Sequence, residues 1–260
     1  MHKINKTNHS HTSYNMTAQH VMSLASLLML ASCQGTSTDK GAASQDDAAD
    51  TKAKNQKNII EKDIFVGRQF SYITNLGSVK IVYTPGDYRI TAKADSATLQ
   101  YLDLQFDSNL LTVNLAHDNN TDFNLYGSTT DVTLYVSCPK LECVSTCGNG
   151  SFENRGVWQT DTLQLGVMGT GGIQLDTLLC SNLSITSTST GNISIKHLKG
   201  DDASILSRSA ATITADVDLK RMSISNAGSQ TISISGHANE LYIKDPKDKR
   251  LDLSKMSSTN

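Results

Sequence analysis

Apolar residues in the second half of the chain recur at a long, nearly fixed interval and not at a helical one. Written from Asp161 in blocks of twenty, the sequence stacks Leu163, Leu183 and Ala203 in one column, with Met222 one residue early. Leu165, Ile185 and Ile205 form the next column, joined by Ile224. Ile173, Ile193, Ile213 and Ile232 form a third at spacings of 20, 20 and 19, and Leu175, Ile195, Ala215 and Ile234 a fourth. Leu241 and Ile243 open a fifth, truncated copy. Gly, Ser, Thr and Asn fill the intervals, as in GTGG at 169–172 and SNAGSQ at 225–230. Each copy offers short strands whose apolar face cannot be buried alone, so stacking copies builds one continuous core. About twenty residues per coil suits a β-solenoid with three short sides. The alternative is a meander or sandwich whose strands recur every ten residues, but chance seldom holds such columns in register over four copies.

The first half predicts short strands. Phe70-Ser-Tyr-Ile73, Val79-Lys-Ile-Val-Tyr83, Leu111–Leu115 and Val132–Val136 largely alternate between two faces, and Pro85-Gly86-Asp87 marks a turn. Only 97–104 reads as a short helix or turn, and no stretch sustains a 3.6-residue period. The fold class is therefore all-β.

The ends of the chain read differently. Val21–Ala31 is an apolar-leaning run of 11 residues, about 16 Å as a helix. A bilayer core needs about 30 Å, so the run reads as the core of a signal peptide over 1–32. Lys3 and Lys6 supply a positive start, unless translation begins at Met16. Leu30-Ala31-Ser32-Cys33 looks like a lipobox, which makes Cys33 the expected lipidation (palmitate) site; an ordinary secretory signal is the alternative. Several acyl chains anchor stably, which places the protein at the outer membrane, on its periplasmic side or at the cell surface. Residues 33–58 contain no large apolar side chain and read as a flexible tether. The domain is expected over 59–245 and a polar tail over 246–260.

Net charge is −2, with no basic stripe, which excludes a nucleic-acid partner. Aromatics are 5% of the chain and Trp158 is the sole tryptophan, so stacking platforms for sugars are scarce.

Phe70-x-x-Ile73, Gly77-x-Val79-x-Ile81 and Pro85-Gly86-Asp87 together resemble the opening of the GIN-domain family. So do Val132-x-Leu134-x-Val136, Pro139-x-Leu141 and Gly148-Asn149-Gly150, followed by the Gly/Ser-rich repeats. The resemblance covers about 66–245 and departs from the usual Gly-Ser-Gly turns at SRSAAT (207–212). It implies a right-handed parallel β-helix and an auto-transporter adhesin head, a type common among Bacteroidetes lipoproteins. A glycan or surface-protein ligand goes with that role.

Because β-helices also include polysaccharide lyases and hydrolases, a carbohydrate-active enzyme is the alternative function. Asp161 and Asp201 share a column two coils apart, roughly 9–10 Å at about 4.8 Å per rung; hydrolase carboxylates sit about 5–9.5 Å apart. Ser181 lies between them and Arg221 follows. Asp176, Lys196 and Asp216 alternate in sign, as a neutralised surface ladder does. The columns show no face that groups three or more acids and bases with an aromatic, and this favours a non-enzymatic binding module or an envelope spacer. Cys138, Cys143, Cys147 and Cys180 are disulfide candidates in an exported chain. Cys143 aligns with the Leu163 column, which suggests a buried filler. No metal site or cofactor motif is visible. Asp95-Ser96-Ala97, Asp161-Thr162-Leu163 and Asp176-Thr177-Leu178 resemble the O-glycosylation sequon of Bacteroidetes, making Ser96, Thr162 and Thr177 candidate acceptors.

Overall fold

The computed structural model describes residues 58–65, 67–115, 132–245 and 248–259, with backbone alone at Phe65. All lie in one structural unit, Asn55–Asn260. The expected signal peptide, Cys33 and nearly all of the tether lie outside the described residues.

The second half is the solenoid that the columns predict. Strands β10 (Val157–Val167), β11 (Ile173–Ser187), β12 (Ile193–Ser207), β13 (Ile213–Asn226) and β14 (Ile232–Ile243) each wrap round corners and pair in parallel with the next. Parallel pairing needs a connection of a dozen residues or more between partners, and here the rest of the coil supplies it. Each coil has three sides. Ile173, Ile193, Ile213 and Ile232 stack on the first, Leu178, Leu198 and Val217 on the second, and Leu165, Ile185, Ile205 and Ile224 on the third. All of these side chains are buried.

The columns begin before β10. On the third side they run back through β8 (Cys143–Thr146), β2 (Tyr72–Asn75) and β6 (Leu110–Leu115), placing Val144, Ile73 and Leu111 beneath Leu165. On the first side they run through β9 (Ser151–Asn154), β3 (Lys80–Pro85) and β7 (Thr133–Cys138), placing Phe152, Ile81 and Leu134 beneath Ile173. The later-built strands β6 and β7 thus lie below the earlier β2 and β3. The chain reaches that lower level through β4 (Arg89–Asp95), one helical turn α1 (Ser96–Leu99) and β5 (Leu102–Asp107). β4 pairs antiparallel with β7 and with β1 (Ile59–Phe65), and β5 pairs antiparallel with β6. These antiparallel strands close the first end of the solenoid. Phe70 packs there against Tyr88 and Phe106, with ring centroids 5.5 and 6.2 Å away.

One corner of each coil relies on close backbone approach. A Cβ on Gly171 would overlap the carbonyl of Gly150, and one on Gly191 that of Gly171. The departure at SRSAAT keeps the corner by another route. Ser209 turns inward, its hydroxyl 2.8 Å from that of Ser187, and accepts the amide of Ala211 at 3.2 Å.

Two expectations need correction. The segment 246–260, read as a polar tail, contains β15 (Leu251–Ser258), which pairs in parallel with β14 and adds a further partial coil. Leu251, Leu253 and Met256 supply its apolar face by packing on the core, a short pattern that its polar composition hides. Cys143 does not join the Leu163 column either. It lies opposite Gln164, because the coil from Val144 to Leu165 is 21 residues long and not 20.

The register makes a sharp prediction. Ile193→Asp places an unpaired charge in the core at a cost of several kcal/mol, whereas the neighbouring Ser194 is only half-buried. Ile193→Asp should unfold the later coils in chemical denaturation, and Ser194→Asp should stay close to the parent. Equal midpoints for the two variants would refute this register.

Candidate functional site

On the third side, inward Leu163 and Leu165 leave the alternate positions outward. Parallel pairing lines these up across five rungs. One outward column is Thr162, Asn182, Asp202, Arg221 and Glu240; the other is Gln164, Ser184, Ser204, Ser223 and Tyr242. Together they line an open groove of about 610 Å³. Tyr242 stands at its last rung, 71% exposed. β15 pairs with β14 only along Ile232–Ala238, so it does not extend this side beyond Tyr242.

The groove carries its own charge balance. Arg221 holds Asp202 through two bonds, the Nη2–Oδ2 contact being 2.8 Å. The Arg221 hydrogen bonds hold the Asp202 carboxyl below its usual range, and Asp202 in turn raises the guanidinium. Sequence blocks of twenty put Arg221 after Asp201, but the coil there is 19 residues long, so Arg221 meets Asp202 and Lys220 meets Asp201 at 2.7 Å. The groove therefore does group Asp202, Arg221, Glu240 and an aromatic, which the columns read at a constant period did not show. What could have found it is the outward columns, followed with the 19-residue step already visible at Ile232.

Other candidates are tied up in ladders. Lys196 bonds Asp176 at 2.8 Å, and Asp216 accepts from Ser235 at 2.7 Å while facing His197 Nδ1 at 3.4 Å. The Ser235 hydroxyl thus donates to a carboxylate and not to an imidazole, which is the wrong direction for a nucleophile relay. A glycosidase general acid needs a raised carboxyl pKa. Every carboxyl here with a displaced acidity, at Asp63, Asp176, Asp202, Asp248 and Asp252, is displaced downward by hydrogen bonds. Among the described residues no group of three His, Cys, Asp or Glu could hold a metal.

All four cysteines of the domain are free thiols, and the structure brings no two of them into a bond. Cys138 ends β7, Cys143 and Cys147 bracket β8, and Cys180 lies on the second side in β11. Burial pushes the Cys138 thiol up to about 12 and those of Cys147 and Cys180 to about 11. Of the three candidate glycan acceptors, Ser96 is exposed at the start of α1 and Thr162 is exposed at the head of the groove. Thr177 is half-buried, paired between Val157 and His197.

A family described as putative auto-transporter adhesin, head GIN domain, matches residues 69–196. Those residues are a GIN domain. The match ends within β12, and the stacked columns continue through β13 and β14. Among solved structures, a putative adhesin from Bacteroides fragilis is similar, with a TM-score of 0.55 and 16% identity over 78% of this chain and 96% of its own. A putative adhesin from Parabacteroides distasonis is similar with a TM-score of 0.51 and 15% identity, over 72% and 82%. At such identities the likeness is one of fold. No curated protein matches the chain.

The Asp202–Arg221 pair can be tested by titration. A carboxyl depressed on folding stabilises the fold above its unfolded pKa and loses that effect as pH falls through the folded value. The Asp202 carboxyl resonance should titrate below the ordinary aspartate range, and Arg221→Gln should bring it back up. An unchanged midpoint in the variant would show that the pair does not hold in solution.

Proposed function

We propose that this GIN-domain chain is a non-enzymatic, adhesin-like binding module, held at the outer membrane by lipid on Cys33, with the third-side groove as its binding face. The observation that carries the reading is the groove itself. Its volume of about 610 Å³ exceeds those of two further concavities, about 320 and 250 Å³, and it ends on Tyr242, the most exposed large hydrophobic side chain among the described residues. Arg221 occupies Asp202 and lowers its carboxyl, so that acid serves as a contact and not as a proton donor. The adhesin family match supports a role at the cell envelope, and the Leu30-Ala31-Ser32-Cys33 sequence with its polar tether supports the anchor.

Two measurements test this. Cys33→Ser should release the protein from the membrane fraction or leave the signal uncut; a wild-type mature N-terminus without lipid in mass spectrometry removes the anchor. Beads carrying the mature protein should retain intact cells, and Tyr242→Ala with Arg221→Ala should weaken retention by about tenfold, the loss of roughly one good aromatic or charged contact. Lys196→Ala, on another side, should leave it unchanged. Equal loss from both sides would separate binding from the groove.

We further propose glycan on Thr162, the exposed acceptor at the head of the groove. Intact mass of protein purified from its host should exceed polypeptide plus lipid, and Thr162→Val should remove the excess; a mass without excess ends the proposal.

A further inference from the structure

Resting on the reading of the groove as a binding face, we infer that its ligand is an uncharged glycan strand lying along the solenoid axis, about one sugar to each rung. Four features of the groove select this class. The first is spacing: successive rungs are about 4.8 Å apart, close to the length of one pyranose in an extended chain. Ser184, Ser204 and Ser223 repeat at the same position on three consecutive rungs. Each hydroxyl both donates and accepts, as sugar hydroxyls do, so the floor offers the same polar contact at three successive steps.

The second feature is charge. Asp202 occupies the guanidinium of Arg221, and Glu240 follows on the next rung, so the column reads negative, positive, negative. No cation is left over for a phosphate, sulfate or uronate chain, and Glu240 opposes one. A neutral strand meets no such penalty. The third feature is the ladder beneath. The inner rungs pair with a rung on either side, which leaves no main-chain edge for an added peptide strand there. Recognition on this face must therefore come from side chains. The fourth is Tyr242, whose ring has an apolar body and a polar tip. At the open last rung it can take the C–H face of a terminal sugar while Ser223 and Ser204 reach the hydroxyls of the next two.

The test uses the mature protein in affinity gel electrophoresis, with gels containing dextran, yeast mannan, arabinoxylan, galactan, polygalacturonate or heparin. Retardation is expected in at least one of the four neutral polysaccharides and in neither acidic one. Tyr242→Ala should weaken it about tenfold. Ser204→Glu, which puts a charge in mid-floor, should abolish it, with Lys196→Ala as the unaffected control. Both groove positions are exposed, and unchanged Trp158 fluorescence and Tm would show that the variants are folded. Retardation only in the acidic gels overturns the proposal, as does neutral binding indifferent to both groove variants. No retardation in any gel, while beads still retain cells through the groove, overturns the glycan and leaves the binding module standing. If the beads retain no cells either, both readings fall.

Discussion

The structure depends on like positions stacking across parallel rungs. Each inward Ile or Leu has a counterpart directly above and below, so the core is a set of continuous columns and not a layer between two sheets. No coil could fold alone, because its inward side chains would have only one another to cover them. The same stacking acts on the outside. Because the period along a strand is two, fixing Leu163 and Leu165 inward also fixes Thr162 and Gln164 outward, and the rungs then bring five outward pairs into one groove. Core and candidate site are two faces of a single register.

Much of the fold was legible because that register leaves a periodic trace. Ile173, Ile193, Ile213 and Ile232 can be aligned by counting, and they pair as counted. The first half is different. Ile73 pairs with both Leu111 and Val144, and Ile81 with both Leu134 and Phe152, at separations set by antiparallel excursions and not by a coil length. Since the chain builds an upper rung first, then drops to a lower one, no fixed interval links these residues. Their alternation showed that they were strands, but nothing local showed which strand each would meet. β15 escaped for another reason: three partly buried apolar residues in a Ser- and Lys-rich segment are enough to add a rung when a finished edge awaits them, and too few to stand out beforehand.

The candidate site was less legible than the core. Apolar columns announce themselves, whereas an outward column may hold any polar residue, so Asn182, Asp202 and Arg221 carry no shared chemical mark. The constant period of twenty also moved Arg221 by one place, which set it after Asp201, where Lys220 belongs, and hid its pair with Asp202. One residue of drift was enough to hide the charged pair at the centre of the groove. The cysteines show the converse limit: spacing alone left Cys138, Cys143, Cys147 and Cys180 as disulfide candidates, and where each thiol lies is tertiary information.

Coil length changes from 21 to 20 to 19 and back to 20 along the solenoid, and the changes do not fall at random. Glu153 pairs with Gln174 at a step of 21, while Val157 pairs with Thr177 at 20. Ile195 to Ala215 is a step of 20 and Leu198 to Val217 one of 19; Ser233 to Asp252 is 19 and Ser235 to Lys255 is 20. All three adjustments lie at the same corner, between the first and second sides, where Gly156 and Gly236 adopt positive φ. That corner behaves as an expansion joint. A residue gained or lost there is absorbed before the next wall begins, so the groove two sides away keeps its alignment. Along such a joint, sequences can drift in length while the recognition wall stays in place.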